Sequence, residues 1–490
     1  MKSKFTAWTG ALVLGTFAGV GYGADGSDIR AELDALKSQV QDQQSEIQRL
    51  RSASGESWLN ERRSEEVRAL VHEVIGDADT RASFQEGGLT AGHRDHFFIA
   101  SDDGNFLLNV SGQVQTRYIY NKRRDSVATT IDPDGVERRS TSGFEVRRAK
   151  LGFHGHIFDP RLTYGIRGNF APTRGFASDF GGVLTDEIFV GQRDGFRLEE
   201  AWFGYEFADG WQVKVGQFKA PFLREELVYS AHQLAVERSF TSEILSAGYA
   251  QGAQLSYTAD MFRASVMLHD GSRSANTGWD RTAAGGAVDF AVAGRGEILL
   301  AGNWAQFADF TTWQDDELGL MIGAGANYEN AAGGAEFQAN DVLRWTVDAS
   351  IEVPEAAGLN AFAAIVGNHP QGRDATIPAG ATNFDHVDQW GVVAQAGIFA
   401  VPDKMDVFVR WEYLDLMDRD LAGFDDDAFT RKAHTLTAGT NYYMHGHAAK
   451  ASLDLVWHLD PVPVNAPGTG VLASEEDDQF AVRAQFQFLF

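Results

Sequence analysis

The last residues of the chain, Gln-Phe-Ala-Val-Arg-Ala-Gln-Phe-Gln-Phe-Leu-Phe at positions 479–490, alternate between apolar and polar side chains. Successive side chains of a β-strand point to opposite faces, so a period of two predicts a strand with one apolar and one polar face. Residues 108–120 follow the same rule, with Leu108 and Val110 on one face and Asn109 and Ser111 on the other. The two ends of the region 108–490 therefore have the same kind of strand.

The alternation recurs between these two segments and predicts sixteen strands in all. They are expected at 108–120, 143–157, 161–170, 197–207, 211–218, 252–258, 262–270, 286–300, 318–329, 341–353, 359–367, 388–399, 405–415, 434–444, 449–458 and 479–490. Short connections such as 208–210 alternate with long ones such as 219–251, apart from a longish turn at 301–317.

This sorting of connections separates two fold classes. A soluble sandwich buries its apolar faces between two sheets and has no reason to place short and long loops at opposite ends. A transmembrane barrel has short turns at one end, long loops at the other, an apolar face toward lipid and a polar face toward water. The sequence therefore predicts an all-β, transmembrane antiparallel β-barrel of about sixteen strands.

The amino-terminal residues predict an export signal. Lys2 and Lys4 precede an apolar stretch at 5–20, which is followed by the small residues Gly23 and Ala24. A basic start, an apolar core and a small-residue exit are typical of a signal peptide, here residues 1–24. The alternative is a membrane-anchoring helix, for which roughly 15 apolar residues are few.

A helical pattern follows the signal. Apolar or amide side chains recur at spacings of four and three, with charged residues between them. These positions are Ile29, Leu33, Leu36, Val40, Gln43, Ile47 and Leu50. Such a seam is buried when helices supercoil, so we predict a coiled coil over 28–75, a linker over 76–96 and the barrel over 97–490. A monomeric amphipathic helix lying on the next domain is the alternative.

Composition excludes several functions. The chain carries 42 basic and 68 acidic residues, and this balance argues against a nucleic-acid binder. It has no cysteine, so it has neither a thiolate metal site nor a cysteine nucleophile. His154 and His156 share a strand face without a third ligand, and the acidic loop at 418–427 lacks calcium-loop spacing. No catalytic arrangement is evident, so we expect no enzyme, no metal and no cofactor.

Four segments resemble the phosphate-selective porin O and P family. They are Val-Gly-Gln-Phe-Lys-Ala-Pro-Phe at 215–222, Arg-Arg-Ala-Lys-Leu-Gly at 147–152, Gly-Thr-Asn-Tyr-Tyr at 439–443 and Arg-Ala-Gln-Phe-Gln-Phe at 483–488. The resemblance runs from about residue 97 to the last residue, and it also guided the count of sixteen strands. It implies a trimeric, sixteen-stranded channel for anions in the outer membrane, in a family whose members often carry a coiled-coil extension.

The polar faces of the first strands are basic and predict an anion path. The candidate lumen residues are Arg117, Arg148, Lys150, Arg167 and Lys214. Guanidinium groups can replace part of an anion's hydration shell through paired hydrogen bonds. The alternative, left open at this point, is that these cations pair with lumen carboxylates and hold the wall rigid.

The long segment 219–251 is the candidate for an inward-folded constriction loop. Its charged candidates have both signs, and they are Lys219, Arg224, Glu225, Glu226 and Arg238. This mixture lacks an arginine ladder, so phosphate specificity is not carried over from the resemblance. Selectivity depends on the charges at the constriction.

The function predicted from these features is passive diffusion. We expect a water-filled channel for small anionic solutes, phosphate among them, or polar solutes. The homotrimer would sit in outer-membrane lipid with its coiled coil in the periplasm. The alternative is a structural tether whose coiled coil contacts the cell wall and whose barrel is only an anchor. Bilayer conductance distinguishes the two.

Overall fold

The computed structural model describes residues 26–57, 88–94, 96–123, 139–171, 196–274, 288–331, 341–371, 388–415, 432–462, 467–471 and 477–490. Contacts divide the chain into two units, Met1–Gly87 and Gly88–Phe490. The segments predicted as signal peptide (1–24) and as the second half of the coiled coil (58–75) lie outside the described residues.

The first unit contains one described helix, α1, at Gly26–Ser57. Its seam residues Leu36, Val40 and Ile47 are exposed. The helix predicted here is thus confirmed, while its supercoiling remains a prediction. Among the described helices, none combines the length and apolarity that a membrane span requires.

The second unit is an antiparallel sheet that closes on itself. Its strands are β1 Leu89–Arg94, β2 His96–Ser101, β3 Leu107–Lys122, β4 Ser140–Ile157, β5 Asp159–Asn169, β6 Arg197–Ala208, β7 Trp211–Lys219, β8 Tyr249–Thr258, β9 Phe262–His269, β10 Val288–Ala301, β11 Gly319–Ala331, β12 Asp341–Val353, β13 Leu359–Gln371, β14 Gln389–Val401, β15 Met405–Asp415, β16 Lys432–His445, β17 Ala449–His458 and β18 Gln479–Leu489. Strands β3 to β18 each pair with the next, and β18 pairs with β3, so the sixteen predicted strands form a closed barrel.

The closure is completed by the terminal residue. Phe490 exchanges two backbone hydrogen bonds with Gly112, at 2.7 and 3.1 Å. The phenylalanine ring covers this glycine so closely that a Cβ atom would lie 2.2 Å from the ring. Gly112 is therefore required wherever Phe490 completes the ladder.

A β-hairpin that the alternation does not predict precedes the barrel. Strands β1 and β2 pair with each other, and β2 pairs with the first residues of β3, from Phe97↔Val110 to Ala100↔Leu107. This corrects the last part of the linker predicted over 76–96, because Leu89–Arg94 is a strand. The strands are six residues long and contain glycine and histidine, so their periodicity is weak.

The two faces of the barrel differ in the way that a membrane requires. Outward side chains are apolar and exposed, for example Phe203 at 58% and Val409 at 51%. Inward side chains are polar and buried, for example Gln115 at 1% and Asn441 at 0%. A soluble sandwich would show the reverse, so the apolar face is the outer face of the barrel.

The barrel has a turn end, where connections such as 209–210 are short, and a loop end. One long segment from the loop end, residues 220–248, folds into the lumen, and we call it the inner segment. It contains two short helices, α2 at Arg224–Leu227 and α3 at Phe240–Leu245. Ser239 caps α3 by accepting a hydrogen bond from the Ser242 amide at 2.9 Å.

The inner segment carries an apolar core within the barrel. Phe222, Leu245 and Phe240 pack in one buried cluster with Val366 and Leu414 of the barrel strands. The lumen is therefore partly filled by a packed element that the strands enclose.

A second element enters from the turn end. Residues 302–318, which we call the turn insert, contain the buried side chains Phe307 and Phe310. The Phe310 amide donates to the His232 carbonyl at 3.3 Å, and the Arg224 side chain donates to the Phe307 carbonyl. The inner segment and the turn insert thus meet inside the lumen.

Candidate channel lumen

A local irregularity concentrates arginines on the lumen face of β3 and β4. The register shifts between Gln115↔Arg148 and Thr116↔Val146, which leaves Arg147 as an extra residue. Such a bulge re-aims side chains locally. Arg147 and Arg148 consequently both reach the same carboxylate of the inner segment.

That carboxylate belongs to Glu237. Arg117, Arg147 and Arg148 each place a nitrogen 2.7 Å from a Glu237 oxygen. Burial by itself would raise the pKa of Glu237, but the three guanidinium groups outweigh it and hold this pKa well below its usual range. We call these three residues the arginine cluster.

The neighbouring cations of this wall are paired as well. Arg117 also bonds Glu145, and Lys150 lies 2.7 Å from Glu199. Arg167 lies 3.3 Å from Glu200. Four of the five predicted anion-path residues are therefore in ion pairs, and Lys214 is the fifth. Pairing of this kind agrees with the alternative that the cations bind lumen carboxylates.

Backbone groups also fix the inner segment to β15 and β17, on the stretch of wall that continues through β18 to β3. The Val236 amide donates to Asp454 of β17 at 3.0 Å, and Arg410 of β15 donates to the Glu237 carbonyl at 2.9 Å. Asp454 in turn accepts from Arg483 at 2.6 Å. The segment is therefore anchored at several points along the wall from β15 through β18 to β4.

A short piece of the last long connection closes over the same wall from the loop end. The carbonyl oxygens of residues 468–470 accept from Arg117 at 2.7 Å, Arg483 at 2.7 Å and Asn121 at 3.2 Å. We therefore call the lumen face of β3 and β4 the covered side.

The predicted constriction residues are brought together, and they mainly shape the inner segment. Arg238 donates to the Glu225 carbonyl at 2.9 Å, and the Glu225 carboxylate accepts from the Ser239 amide at 2.6 Å. Lys219 donates to the Glu226 carbonyl. These contacts hold the segment folded, and whether they also narrow the path stays a prediction.

An open cavity of about 340 Å³ lies on the other side, between the inner segment and strands β6 to β10. We call this lumen face the open side. Its charged lining residues are Glu200, Lys214, Lys219, Arg263, Arg295 and Glu297. Gln254 and Ser256 add hydrogen-bonding groups, so the cavity suits small hydrated solutes.

Lys214 differs from the other cations of this lining. Arg263 bonds Glu297, and Arg295 lies 2.7 Å from Asp348. In the described part of the chain, no carboxylate lies within ion-pair distance of Lys214, whose ammonium nitrogen is 4.1 Å from the Trp202 ring centroid. The Phe218 ring centroid lies 4.3 Å from the same nitrogen, so Lys214 borders the cavity between two aromatic rings and without an ion pair.

Glu237 was not among the site residues predicted from the sequence. It lies 90 and 89 positions from Arg147 and Arg148 and 120 positions from Arg117, and strand periodicity carries no signal for such contacts. His154 was considered above as one of a possible metal-binding pair with His156. In the structure the His154 ring packs edge to face against the His96 ring, with the ring centroids 5.3 Å apart. Within the described ranges, no group of three potential ligands is placed to hold a metal ion. The acidic loop 418–427 lies outside these ranges.

A closed barrel with an apolar outer face, a polar lumen and an inward-folded segment defines a porin, a passive channel of the outer membrane. Residues 125–490 match the family of phosphate-selective porins O and P, so the chain belongs to this family. The resemblance noted from the sequence is thereby confirmed. The family identifies the barrel as a channel rather than an enzyme, and no finding supports the tether alternative.

Solved porins share the fold. The anion-selective porin from Comamonas acidovorans has a TM-score of 0.50 and 14% identity, covering 78% of this chain and 99% of that chain. OprB from Pseudomonas putida has a TM-score of 0.48 and 12% identity, covering 78% and 94%. OmpF from Salmonella typhi has a TM-score of 0.47 and 13% identity, covering 81% and 100%. No curated protein sequence matches the chain significantly.

Proposed function

We propose that this porin passes small anionic and polar solutes along the open side of its lumen. The observation that carries the proposal is Lys214, which borders the cavity of about 340 Å³ and has no ion-pair partner within 4.0 Å among the described residues. A fixed positive charge on a water-filled path lowers the energy of an anion there and raises that of a cation. The anion-selective porin with the same fold adds support.

The proposed solutes are anions in general, with inorganic phosphate as one of them. A site that selects phosphate would need several free donors converging on its oxygens. On the open side, Arg263 and Arg295 are engaged by Glu297 and Asp348. Lys214 attracts anions without fixing their shape.

The test is the reversal potential of the purified protein in a planar bilayer under a salt gradient. The wild type should favour chloride and phosphate over potassium, and Lys214→Glu should lower the anion-to-cation permeability ratio about threefold or more, as expected for a charge on the path. Lys404→Glu, on an exposed short turn, is the matched control and should change little. A cation-selective wild type, or a Lys214→Glu variant that matches it, would contradict the proposal.

We also propose the assembly that the sequence predicts. Three copies would join through a coiled coil over residues 28–75 in the periplasm, with the apolar barrel face in outer-membrane lipid and residues 1–24 removed on export. The exposed seam residues Leu36, Val40 and Ile47 support this, because a lone helix leaves them in water. The mass of the detergent-purified chain should correspond to three copies, and Val40→Asp should reduce the trimer fraction. A monomer would contradict it.

A further inference from the structure

The arginine cluster and its carboxylate come from different parts of the fold. Arg117 lies on β3, Arg147 and Arg148 lie on β4, and Glu237 comes from the inner segment. Together with Glu145, which bonds Arg117, the group contains three positive and two negative side chains. Glu237 is therefore what keeps the covered side close to neutral.

The cluster is close enough to the solvent to act on passing ions. Glu237 and Arg117 are almost fully buried, but the Arg147 side chain retains 20% of its exposure. Charges at a protein–water boundary are screened only partly over a few ångströms. A change in the net charge of the cluster would thus be felt in the lumen.

The backbone of the inner segment does not depend on the Glu237 carboxylate alone. The Val236 amide bonds Asp454, and Arg410 bonds the Glu237 carbonyl, so both contacts persist when only the side-chain charge is removed. Ser239 is held separately by Glu225. Charge and position at residue 237 can accordingly be tested apart.

We propose that Glu237 is a specificity-determining residue, whose negative charge masks the arginine cluster and limits how strongly the channel prefers anions. The inference rests on the proposed function, because it requires that ions pass through this lumen. It concerns the covered side, however, and its outcome is a change relative to the wild type, whichever ion the wild type prefers.

The experiment compares substitutions that separate charge from shape. Glu237→Gln removes the charge at nearly constant size, and Glu237→Asp keeps the charge on a shorter side chain. Reversal potential in a salt gradient reports the charge seen by ions, and single-channel conductance reports the width of the path. Glu355→Gln, on an exposed short turn, is the matched loss of one negative charge.

We expect Glu237→Gln to raise the anion-to-cation permeability ratio about threefold, the Boltzmann factor for one charge at ~7 Å in water. Glu237→Asp and Glu355→Gln should stay close to the wild-type ratio. Adding Arg147→Gln to Glu237→Gln should bring the ratio back toward the wild type. Equal ratios for the Gln and Asp variants, or no effect of the added Arg147→Gln, would overturn the proposal.

Failure of this inference is distinguishable from failure of the proposed function. A wild type that prefers cations would contradict the proposed solutes, yet a further shift toward anions in Glu237→Gln would still support masking. An anion-selective wild type whose ratio is unchanged in Glu237→Gln would leave the proposed function intact and remove the role of Glu237.

Discussion

The covered side and the open side of the lumen carry the same kind of side chain with different consequences. On the covered side, Arg148 lies 2.7 Å from Glu237 and is buried under the inner segment. On the open side, Lys214 borders a cavity and has no such carboxylate in the described residues. The element laid against a strand thus decides whether a cation of that strand is paired in the interior or borders the cavity.

The physical reason is desolvation. A charge taken out of water requires a partner of opposite sign and further hydrogen bonds, since an unpaired buried charge is strongly destabilising. The inner segment supplies Glu237 where it covers arginines. On the open side, the Trp202 and Phe218 rings and the adjoining cavity, in place of a carboxylate, surround the Lys214 ammonium group.

The largest expected effect comes from reversing a charge on the covered side. Arg148→Glu would place a second carboxylate against Glu237, and breaking a buried pair in this way typically destabilises a protein by about 3–5 kcal/mol. The inner segment should detach from β4, which lowers the urea midpoint in detergent and raises single-channel conductance.

The matched change on the open side is Lys214→Glu. Because Lys214 is in no buried ion pair among the described residues, the change removes only its contacts with the Trp202 and Phe218 rings, and we expect the free energy of unfolding to fall by about 1–2 kcal/mol. Similar urea midpoints for Arg148→Glu and Lys214→Glu would contradict the claim that charges on the covered side stabilise the fold more than those on the open side.

An effect on conductance without a change of charge should follow from loosening the apolar anchor of the inner segment. Phe222 is buried with Leu245 and Val366, and Phe→Ala changes in cores cost about 3 kcal/mol or more. Since the Phe222 carbonyl also accepts from Arg295 of the open side at 3.0 Å, Phe222→Ala should widen the path there while Glu237 keeps the covered side in place.

This prediction is checked by conductance together with selectivity. Phe222→Ala should increase conductance and leave the permeability ratio near that of the wild type. Phe203→Ala, on the outer face of the barrel at 58% exposure, is the control of equal size and should change neither. A changed ratio without changed conductance would show that the two sides are not independent.

The barrel could be predicted from the sequence because its signal is local. Each strand repeats the alternation of its neighbours, as at 479–490, and a period of two needs no knowledge of distant residues. The same pattern places Arg117, Arg148 and Lys214 on the polar face of their strands. The hairpin at Leu89–Ser101 was missed because its strands are too short to show a period.

The distinction between the two sides could not be predicted, because it depends on contacts between distant segments. Arg148 and Glu237 lie 89 positions apart, and nothing near either residue indicates the other. The turn insert is an intermediate case. Its buried aromatic residues Phe307 and Phe310 are unusual for a solvent-exposed turn and could have suggested that it folds inward.

The smallest expected effect concerns the junction between the inner segment and the turn insert. The His232 ring stacks on His447 at 4.7 Å and also faces Tyr229, Asp309 and Lys450. Burial, helped by His447, lowers the pKa of His232 to about 4, so the docked imidazole is neutral at neutral pH. An undocked imidazole titrates near ~6.5.

Because protonation favours the undocked form, the contribution of His232 to docking is complete above ~6.5 and is lost as the pH falls toward about 4. Current fluctuations should therefore increase over this window, and His232→Asn should show a weaker increase because it cannot be protonated. Lumen carboxylates and His447 titrate in both proteins, so the difference between the two reports His232 together with its coupling to His447. Since the backbone anchors at Val236 and Glu237 remain on the covered side, the fluctuations should leave the permeability ratio of the open state unchanged. The permeability ratio could instead change together with the current fluctuations in the wild type but not in His232→Asn. That result would mean that the turn insert also helps to hold the inner segment against β3 and β4.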